Sequence, residues 1–571
     1  MSEAILIFTF GPVQSFIAEA RRASDLYVGS QILVQLARAA AQAVEQCQGI
    51  LIFPTPPLSD DVPNKLVARV PWEKAEAIAA EAKTTLLRQW TRIADTAKSN
   101  LMSKNLLPDA RWHDIWARQV SNVWEIYWAA ASLENRLYKD AYDEANQALD
   151  AAKRARMFNA VEEHGLKDTL SGCREALHTS NAAAKAYWTE VGEQVKAAKL
   201  KPSGHERLDA IGAIKRFSAI ADESRFPSTS TVASRPFLNL VRGSKDLAEY
   251  RQAIKELLGE YLYKPNPHDA DWPYDGDLFF IETLTPQRLE SSYGLTAVDE
   301  EDLKITQSRI HDVYDQAKSR PSPYYAMVAL DGDNMGRRIG QYLEETDPEK
   351  AHRDFSLKLA TFASRVGPII KGHYGELLYN GGDDVLAMAP LSTAFPLAQA
   401  LAAKFSEIAG GTASAGIAIA HHLFPLGTAL GAARQAEQQA KRVEGKNAVC
   451  VRALKRSGET LEMRSPWKAV GEIFAKMTKF FQGDTNGNLL SSKLAYDVLQ
   501  AAYALPEADE KSRAELKRLL KRHRNPKHRQ APDPDVWAER LKTWATQLPD
   551  QLQELGRWLV FARFLAQGGR D

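Results

Sequence analysis

Short apolar runs alternate along this chain with longer stretches of helical periodicity, and the same order of elements occurs twice. Ile5-Leu6-Ile7-Phe8-Thr9-Phe10 reads as a buried strand, followed after Gly11-Pro12 by a helix from Val13 to about Cys47. Ile50–Phe53 and Leu66–Val70 predict two further strands, separated by the turn-rich Pro54-Thr55-Pro56-Pro57 and Ser59-Asp60-Asp61. A helix from Trp72 to about Ala97, an irregular stretch and a strand at Val123–Trp128 complete a βαββαβ order, the split-βαβ ferredoxin-like unit. The order returns with a strand at Tyr325–Leu330, a turn at Asp331-Gly332-Asp333-Asn334 and helical sequence to about His373. A hairpin around residues 376–388, a helix Phe395–Ile408, a strand Ala413–Ala420, a helix Leu426–Val443 and a last strand Ala448–Val451 follow.

Between these units, Glu134 to Lys201 is dominated by helix formers and is broken by a loop at Gly165–Glu175. Arg207–Phe217 resumes helical periodicity, Phe226-Pro227-Ser228-Thr229-Ser230 marks a hydroxyl-rich turn, and Asp275-Gly276-Asp277 precedes the apolar Leu278–Ile281. From Thr460 onward the pattern is helical, anchored by Trp467, Ile473, Met477 and Phe480-Phe481. The expected fold is α+β: two ferredoxin-like domains at 1–150 and 316–458, a mostly helical connecting domain at 151–315 and a helical domain at 459–571.

Composition narrows this picture in three ways. A hydrophobic content of 44% and a charged content of 25% are those of a soluble globular protein. The formal net charge of +1 gives no global field for nucleic acid, so any such contact needs a local patch. Cys47, Cys173 and Cys450 are too few and too scattered for a disulfide framework, which together with the short first apolar run and the lack of a ~20-residue apolar span predicts a reduced, cytoplasmic setting with no membrane partner.

The candidate chemistry lies at Tyr379-Asn380-Gly381-Gly382-Asp383-Asp384. Flanking apolar runs predict a hairpin with Gly381-Gly382 at positive φ in a tight turn and two carboxylates beside it. Adjacent carboxylates repel each other, so either solvent or a hard divalent cation must compensate them. Asp331, at the end of the preceding strand, is expected to join Asp383 and Asp384, and three such acids favour two magnesium or manganese ions. Asn334 reads as a helix N-cap, Asp333 as either cap or ligand, and Lys441 and Lys446-Asn447 as candidates to meet a triphosphate. His421-His422 lack spaced partners for a metal. A basic run, Lys517, Arg518, Lys521, Arg522, Arg524, Lys527 and Arg529, is either a solvated helix face or a surface for RNA or an acidic subunit.

Gly381-Gly382-Asp383-Asp384, with Leu330–Gly336 before it and Ala440-Lys441 and Gly445-Lys446-Asn447 after it, resembles the nucleotide-cyclase and polymerase palm shared with GGDEF diguanylate cyclases. The opening Gly11–Ile17 with Arg21-Arg22 and Asp25-Leu26, joined by Arg207-Leu208, Lys215-Arg216-Phe217 and Phe226–Thr229, narrows the resemblance to the large palm-domain subunit of type III CRISPR effector complexes, Cmr type. The resemblance implies a synthetase that converts ATP to cyclic oligoadenylate when its complex of Cmr subunits and guide RNA holds target RNA. Carried over by position, Asp331, Asp383 and Asp384 hold the metals, Gly332, Gly381, Gly382, Lys441 and Lys446 lie at the nucleotide, and the first palm is non-catalytic. Many relatives begin with an HD nuclease domain. Here the chain opens on the first palm strand and His113-Asp114, His268-Asp269 and His311-Asp312 are isolated, so no HD-type DNase activity is expected. Asp168 and Ser171 stand where relatives often carry a CxxC, so no zinc is expected. A catalytically silent scaffold and a GTP-using diguanylate-cyclase-like enzyme are the alternatives; intact acids weigh against the first and a second palm against the other.

Overall fold

The computed structural model describes all residues except 1, 57, 59–60, 104–107, 156–161, 201–204, 221–225, 457, 484–486 and 570–571, together with the side chains of 196–199. The expected turn residues Pro57, Ser59 and Asp60, and the end of the helical run at Lys201, lie outside the described residues.

The first unit comprises β1 (Glu3–Gly11), α1 (Gln14–Ala18), α2 (Ala23–Gln46), β2 (Ile50–Phe53), β3 (Lys65–Pro71), α3 (Ala75–Met102), α4 (Ala110–Ser121), β4 (Glu125–Ser132) and α5 (Tyr138–Arg154). Its sheet has the order β2-β3-β1-β4 with antiparallel pairing throughout, the ferredoxin-like arrangement. The stretch read as irregular holds α4, whose Trp112, Ile115 and Trp116 are buried and whose first turn is capped by Asp109.

The connecting region contributes α6 (Ala184–Lys199), α7 (Ala210–Phe217), α8 (Thr229–Val241), α9 (Lys245–Leu258), α10 (Pro286–Tyr293) and α11 (Glu300–Ala317). The signature-like residues of the opening turn out to fasten it to the first unit. Arg216 is buried against Asp25 at 2.8 Å, Arg22 reaches Glu206 at 2.8 Å, and the Lys215 ammonium donates to the Glu19 carbonyl at 2.7 Å. Arginine suits such buried pairing because its planar fork can donate several hydrogen bonds to one carboxylate. In the Gly165–Glu175 loop, Asp168 accepts from the Leu170 and Ser171 amides, each at 2.7 Å, and from the Ser171 hydroxyl at 2.7 Å.

The second unit follows: β5 (Tyr324–Gly332), α12 (Met335–Tyr342), α13 (Pro348–Gly372), β6 (Glu376–Asn380), β7 (Asp384–Pro390), α14 (Leu391–Ala409), β8 (Ala413–His421), α15 (Leu426–Lys441), β9 (Ala448–Leu454) and β10 (Thr460–Pro466). The six strands run β10-β9-β8-β5-β7-β6, so β8-β5-β7-β6 reproduce the ferredoxin-like order and β9 adds in parallel to β8 through α15. β5 and β8 are buried almost residue for residue, as expected of central strands covered on both faces.

β10 corrects the helical expectation from Thr460. Leu461, Met463 and Ser465 are buried while the intervening Thr460, Glu462 and Arg464 face outward, a period of two rather than 3.6. Beyond it, α16 (Glu472–Gln482), α17 (Lys493–Ala504), α18 (Glu510–His523), α19 (Pro534–Ala545) and α20 (Gln551–Ala566) share one apolar core with the second unit. Trp558 of α20 donates its indole N–H to the Arg464 carbonyl at 3.2 Å.

The two ferredoxin-like units meet reciprocally. Helix α2 of the first packs on β6 of the second, and helix α13 of the second packs on β2 of the first. Thr55 donates its amide to Ser356 at 2.9 Å, and Asn380 donates to Asp61 at 2.8 Å, so each hairpin is hooked to the other unit. His352 of α13 is buried in this seam, hydrogen bonded to the Tyr138 hydroxyl at 3.0 Å and stacked near Phe53. Burial, aided by the positive charge of Lys65, pushes its pKa down to about 4.

A histidine whose folded pKa lies below its unfolded value of about 6.5 supports the fold fully above that value and progressively less as pH falls toward 4. The expected loss is at most about 3 kcal/mol. In thermal unfolding followed from pH 7 to pH 4, His352→Gln is expected to flatten this part of the profile; a wild-type slope retained in the variant would remove His352 as its source.

Candidate functional site

The predicted hairpin forms, with its turn one residue later than expected. Gly381 N–H donates to the Asp384 carbonyl at 2.8 Å, leaving Gly382 and Asp383 at the tip, and Gly382 alone has positive φ, at 96°. The expectation that both glycines adopt positive φ therefore fails for Gly381, where the packing of Tyr379 explains the small residue: a Cβ would stand 2.5 Å from the Tyr379 hydroxyl oxygen. Asn380 is buried and shapes the turn, accepting from Gly382 N–H at 3.3 Å while donating to the Ala363 carbonyl at 3.0 Å.

Strand pairing brings the acids together across some fifty residues of sequence. Asp331 is the register partner of Asp384 on neighbouring strands β5 and β7, which sets their Cβ atoms about 5 Å apart. Asp383 lies next to them at the tip, and its carbonyl accepts from Gly332 N–H at 3.2 Å. Burial, with the charge of Asp384 adding to it, raises the Asp383 pKa to about 6, and Asp383 has no ion-pair partner among the described residues. Gly332 is buried where a Cβ would meet Met335 and Phe405 at 2.8 and 2.9 Å, so it allows close packing behind the site.

Positive charge comes from one face of α15. Lys441 contacts Asp331 directly, and Arg434 donates to both oxygens of Asp384, at 2.8 and 3.3 Å. Glu437 stands between them, 3.3 Å from Lys441 and 3.5 Å from Arg434, and burial raises its pKa. Burial and neighbouring Lys446 lower the pKa of Lys441. Arg434 and Glu437 were not singled out from sequence, although their i, i+3, i+7 spacing with Lys441 places the three on one helix face. Gly416 sets how near this face comes. A Cβ on Gly416 would stand 2.1 Å from the Glu437 nitrogen and 2.3 Å from the Ala433 carbonyl oxygen, so α15 rests directly on the backbone of β8.

Asp333 does not cap α12. It is buried, accepting from Thr412 and Ser414 hydroxyls at 2.8 Å each and from Asn447 N–H at 3.0 Å, and so ties the ends of β5, β8 and β9 together. Asn334 occupies the N-cap position of α12 in a left-handed conformation with no side-chain cap; its side-chain oxygen accepts instead from Lys446 at 2.7 Å. That contact turns Lys446, at positive φ itself, toward the β5–α12 turn. His421 and His422 lie at the opposite end of β8, with His422 stacked on Phe280 at 4.1 Å and hydrogen bonded to Ser230 at 2.8 Å.

These acids are hard oxygen donors suited to magnesium or manganese rather than zinc. Among the described residues no group of three or more His, Cys, Asp or Glu stands ready to hold a metal ion, and Lys441 and Arg434 engage Asp331 and Asp384. The fit rests on the side-by-side pair, the unpaired third acid and two cationic side chains marking where positive charge is required. No helix among the described residues is long and apolar enough to cross a membrane.

Residues 324–450 match the family model for Cas10/Cmr2, second palm domain, and residues 5–95 match that for CRISPR-associated protein Cmr2, N-terminal. The CRISPR system Cmr subunit Cmr2 of Pyrococcus furiosus is 24% identical over 593 residues, an alignment covering 87% of this chain and 66% of that relative, so the chain spans just under two thirds of its length. A solved type III-B Cmr-beta structure in the apo state superposes with a TM-score of 0.70 at 13% identity, covering 100% of this chain and 82% of the other. The corresponding structure bound to cognate target RNA gives 0.68 at 13% identity, with 99% and 83% covered. At such identities the superpositions establish a common fold.

Asp333→Ala leaves two hydroxyls and one amide without their acceptor and is expected to destabilise the chain by about 3 kcal/mol in urea unfolding. Gly416→Ala, which forces α15 off β8, is expected to cost about 1–3 kcal/mol. An unchanged urea midpoint for either variant would contradict the packing described for its position.

Proposed function

We propose that this chain, a Cmr2-type Cas10 subunit of the type III-B CRISPR class, converts ATP into cyclic oligoadenylate at the acids of β5 and the β6–β7 turn. The proposed setting is an RNA-guided complex with other Cmr subunits, in which bound target RNA activates the site. The observation that carries this reading is the register pairing of Asp331 with Asp384, with Asp383 beside them.

Asp331, Asp383 and Asp384 would hold two divalent cations, magnesium or manganese, which supply activation of the attacking 3′-hydroxyl and charge neutralisation at the departing pyrophosphate. Lys441 and Arg434, freed from the acids by that exchange, present ammonium and guanidinium groups to triphosphate oxygens, a use for which charge-assisted donors are well suited. Glu437 positions both cations from between them. Lys446, tied to Asn334, supplies a further cation at the rim. Gly382, whose Cβ position meets nothing nearer than Leu359 at 3.9 Å, leaves the hairpin tip open to close approach by a nucleotide, while Gly381 makes room for Tyr379 beside it. The first palm braces the hairpin from its other side, its Asp61 hooked to Asn380 directly before the glycines.

One observation favours a second reading, that of a catalytically silent scaffold: Lys441 and Arg434 already compensate two of the three acids within the chain. The assembled complex with guide RNA, matched target RNA, magnesium and labelled ATP or GTP separates the readings. ATP is expected to yield cyclic oligoadenylate and GTP no comparable product, with Asp383→Ala plus Asp384→Ala lowering the yield at least about a hundredfold. No product from either nucleotide would leave the scaffold, and unchanged product from the double variant would remove these acids from the site.

A further inference from the structure

Between Leu516 and Pro532 the chain carries seven Lys and Arg residues and no Asp or Glu. The structure divides them. Lys517 is paired with Asp535 at 2.5 Å and Arg518 with Glu515 at 2.7 Å. Lys521, Arg522, Lys527 and Arg529 are exposed and form no ion pair among the described residues, and half-buried Arg524 has a buried Nε with no acceptor. Several other cations of the C-terminal helices are paired: Lys476, Arg513, Lys542 and Arg557 each face a carboxylate.

Helix-end electrostatics account for only part of this cluster. Lys521 and Arg522 lie in the last turn of α18, where cations offset the helix dipole, but Lys527 and Arg529 lie beyond it. They are nevertheless held in place. The segment turns tightly through His528 N–H to the Asn525 carbonyl at 3.2 Å and is pinned to the loop before α17 by Asn525 N–H to the Leu489 carbonyl at 3.0 Å. Between 521 and 530 no side chain except Pro526 offers an exposed apolar surface, since the adjoining Leu516, Leu519 and Leu520 point into the core. Protein interfaces draw their affinity from buried aromatic and aliphatic anchors, which this patch lacks, whereas a phosphodiester backbone requires only fixed cations.

We propose that the end of α18 and the turn after it, through Lys521, Arg522, Lys527 and Arg529, form a binding surface for a single-stranded nucleic-acid backbone. This surface is separate from the acidic site of the second palm and does not depend on its chemistry.

The test is fluorescence anisotropy of the full purified chain with labelled single-stranded RNA and, in a parallel arm, single-stranded DNA of the same sequence, titrated over a range of salt. Each phosphate contact contributes about 0.7 to the slope of log affinity against log salt. The variant carrying Lys521→Gln, Arg522→Gln, Lys527→Gln and Arg529→Gln is expected to lose up to about 2.8 from that slope and to bind at least about tenfold more weakly at low salt. Loss in both arms assigns a generic phosphodiester site, and loss confined to RNA assigns RNA as the ligand. Asp383→Ala is expected to leave the slope unchanged, which keeps this test apart from that of the palm site. An unaltered thermal midpoint verifies folding, since all four side chains are exposed. An unchanged slope and affinity in the quadruple variant would overturn the proposal, as would unchanged nucleic-acid binding accompanied by loss of an acidic partner subunit.

Discussion

Two carboxylates on adjacent central strands repel each other, and the second palm is arranged around compensating that repulsion. Asp331 and Asp384 face each other in register on β5 and β7, each only partly exposed to water. The compensation comes from α15, and its reach depends on a glycine: without a Cβ at Gly416 the helix backbone settles on β8 close enough for Arg434 and Lys441 to touch the acids. Asp333, one residue beyond Gly332, holds the strand ends that carry this arrangement by accepting three hydrogen bonds. The charge balance seen is thus internal to the chain, with Lys441 on Asp331 and Arg434 on Asp384.

The seam between the two palms constrains the site from the other side. Each unit lays its first long helix on the hairpin of the other, so neither hairpin can shift without its partner. The Asn380–Asp61 and Thr55–Ser356 contacts are the hydrogen-bonded expression of that reciprocity. The connecting helices are fastened to the first unit, on the helix that carries one side of this seam, through the buried Arg216–Asp25 pair. Breaking one member of such a pair leaves an uncompensated charge in the interior, which makes these residues costly to change even though they lie away from the acids.

Much of this was legible in the residues themselves. Central strands such as β5 and β8 announce themselves as continuous apolar runs, and the repeated βαββαβ order follows from them. The hairpin and its acids were readable from Gly381 to Asp384, and the partnership of Asp331 from its place at a strand end. What escaped was decided by tertiary contact. Strand β10 alternates with period two, yet only its pairing with β9 distinguishes it from the helical sequence around it. Gly381 owes its smallness to Tyr379 rather than to its own dihedral angles, and Asn334 gives its side chain to Lys446 instead of to the helix it precedes. Arg434 and Glu437 had a helical spacing signal, but an ionic face on a helix points to solvent as often as to a site until the packing of α15 on β8 is known.

The central claim is that Asp331, Asp383 and Asp384 together form a divalent-cation site completed by a nucleotide triphosphate. Binding of manganese to the full chain, followed by loss of the free-ion electron paramagnetic resonance signal with and without ATP, tests this directly. The account predicts saturable uptake that is strengthened by ATP and lost in the chain carrying Asp331→Asn, Asp383→Asn and Asp384→Asn. Uptake of equal strength in the wild-type chain and in that triple variant would contradict it.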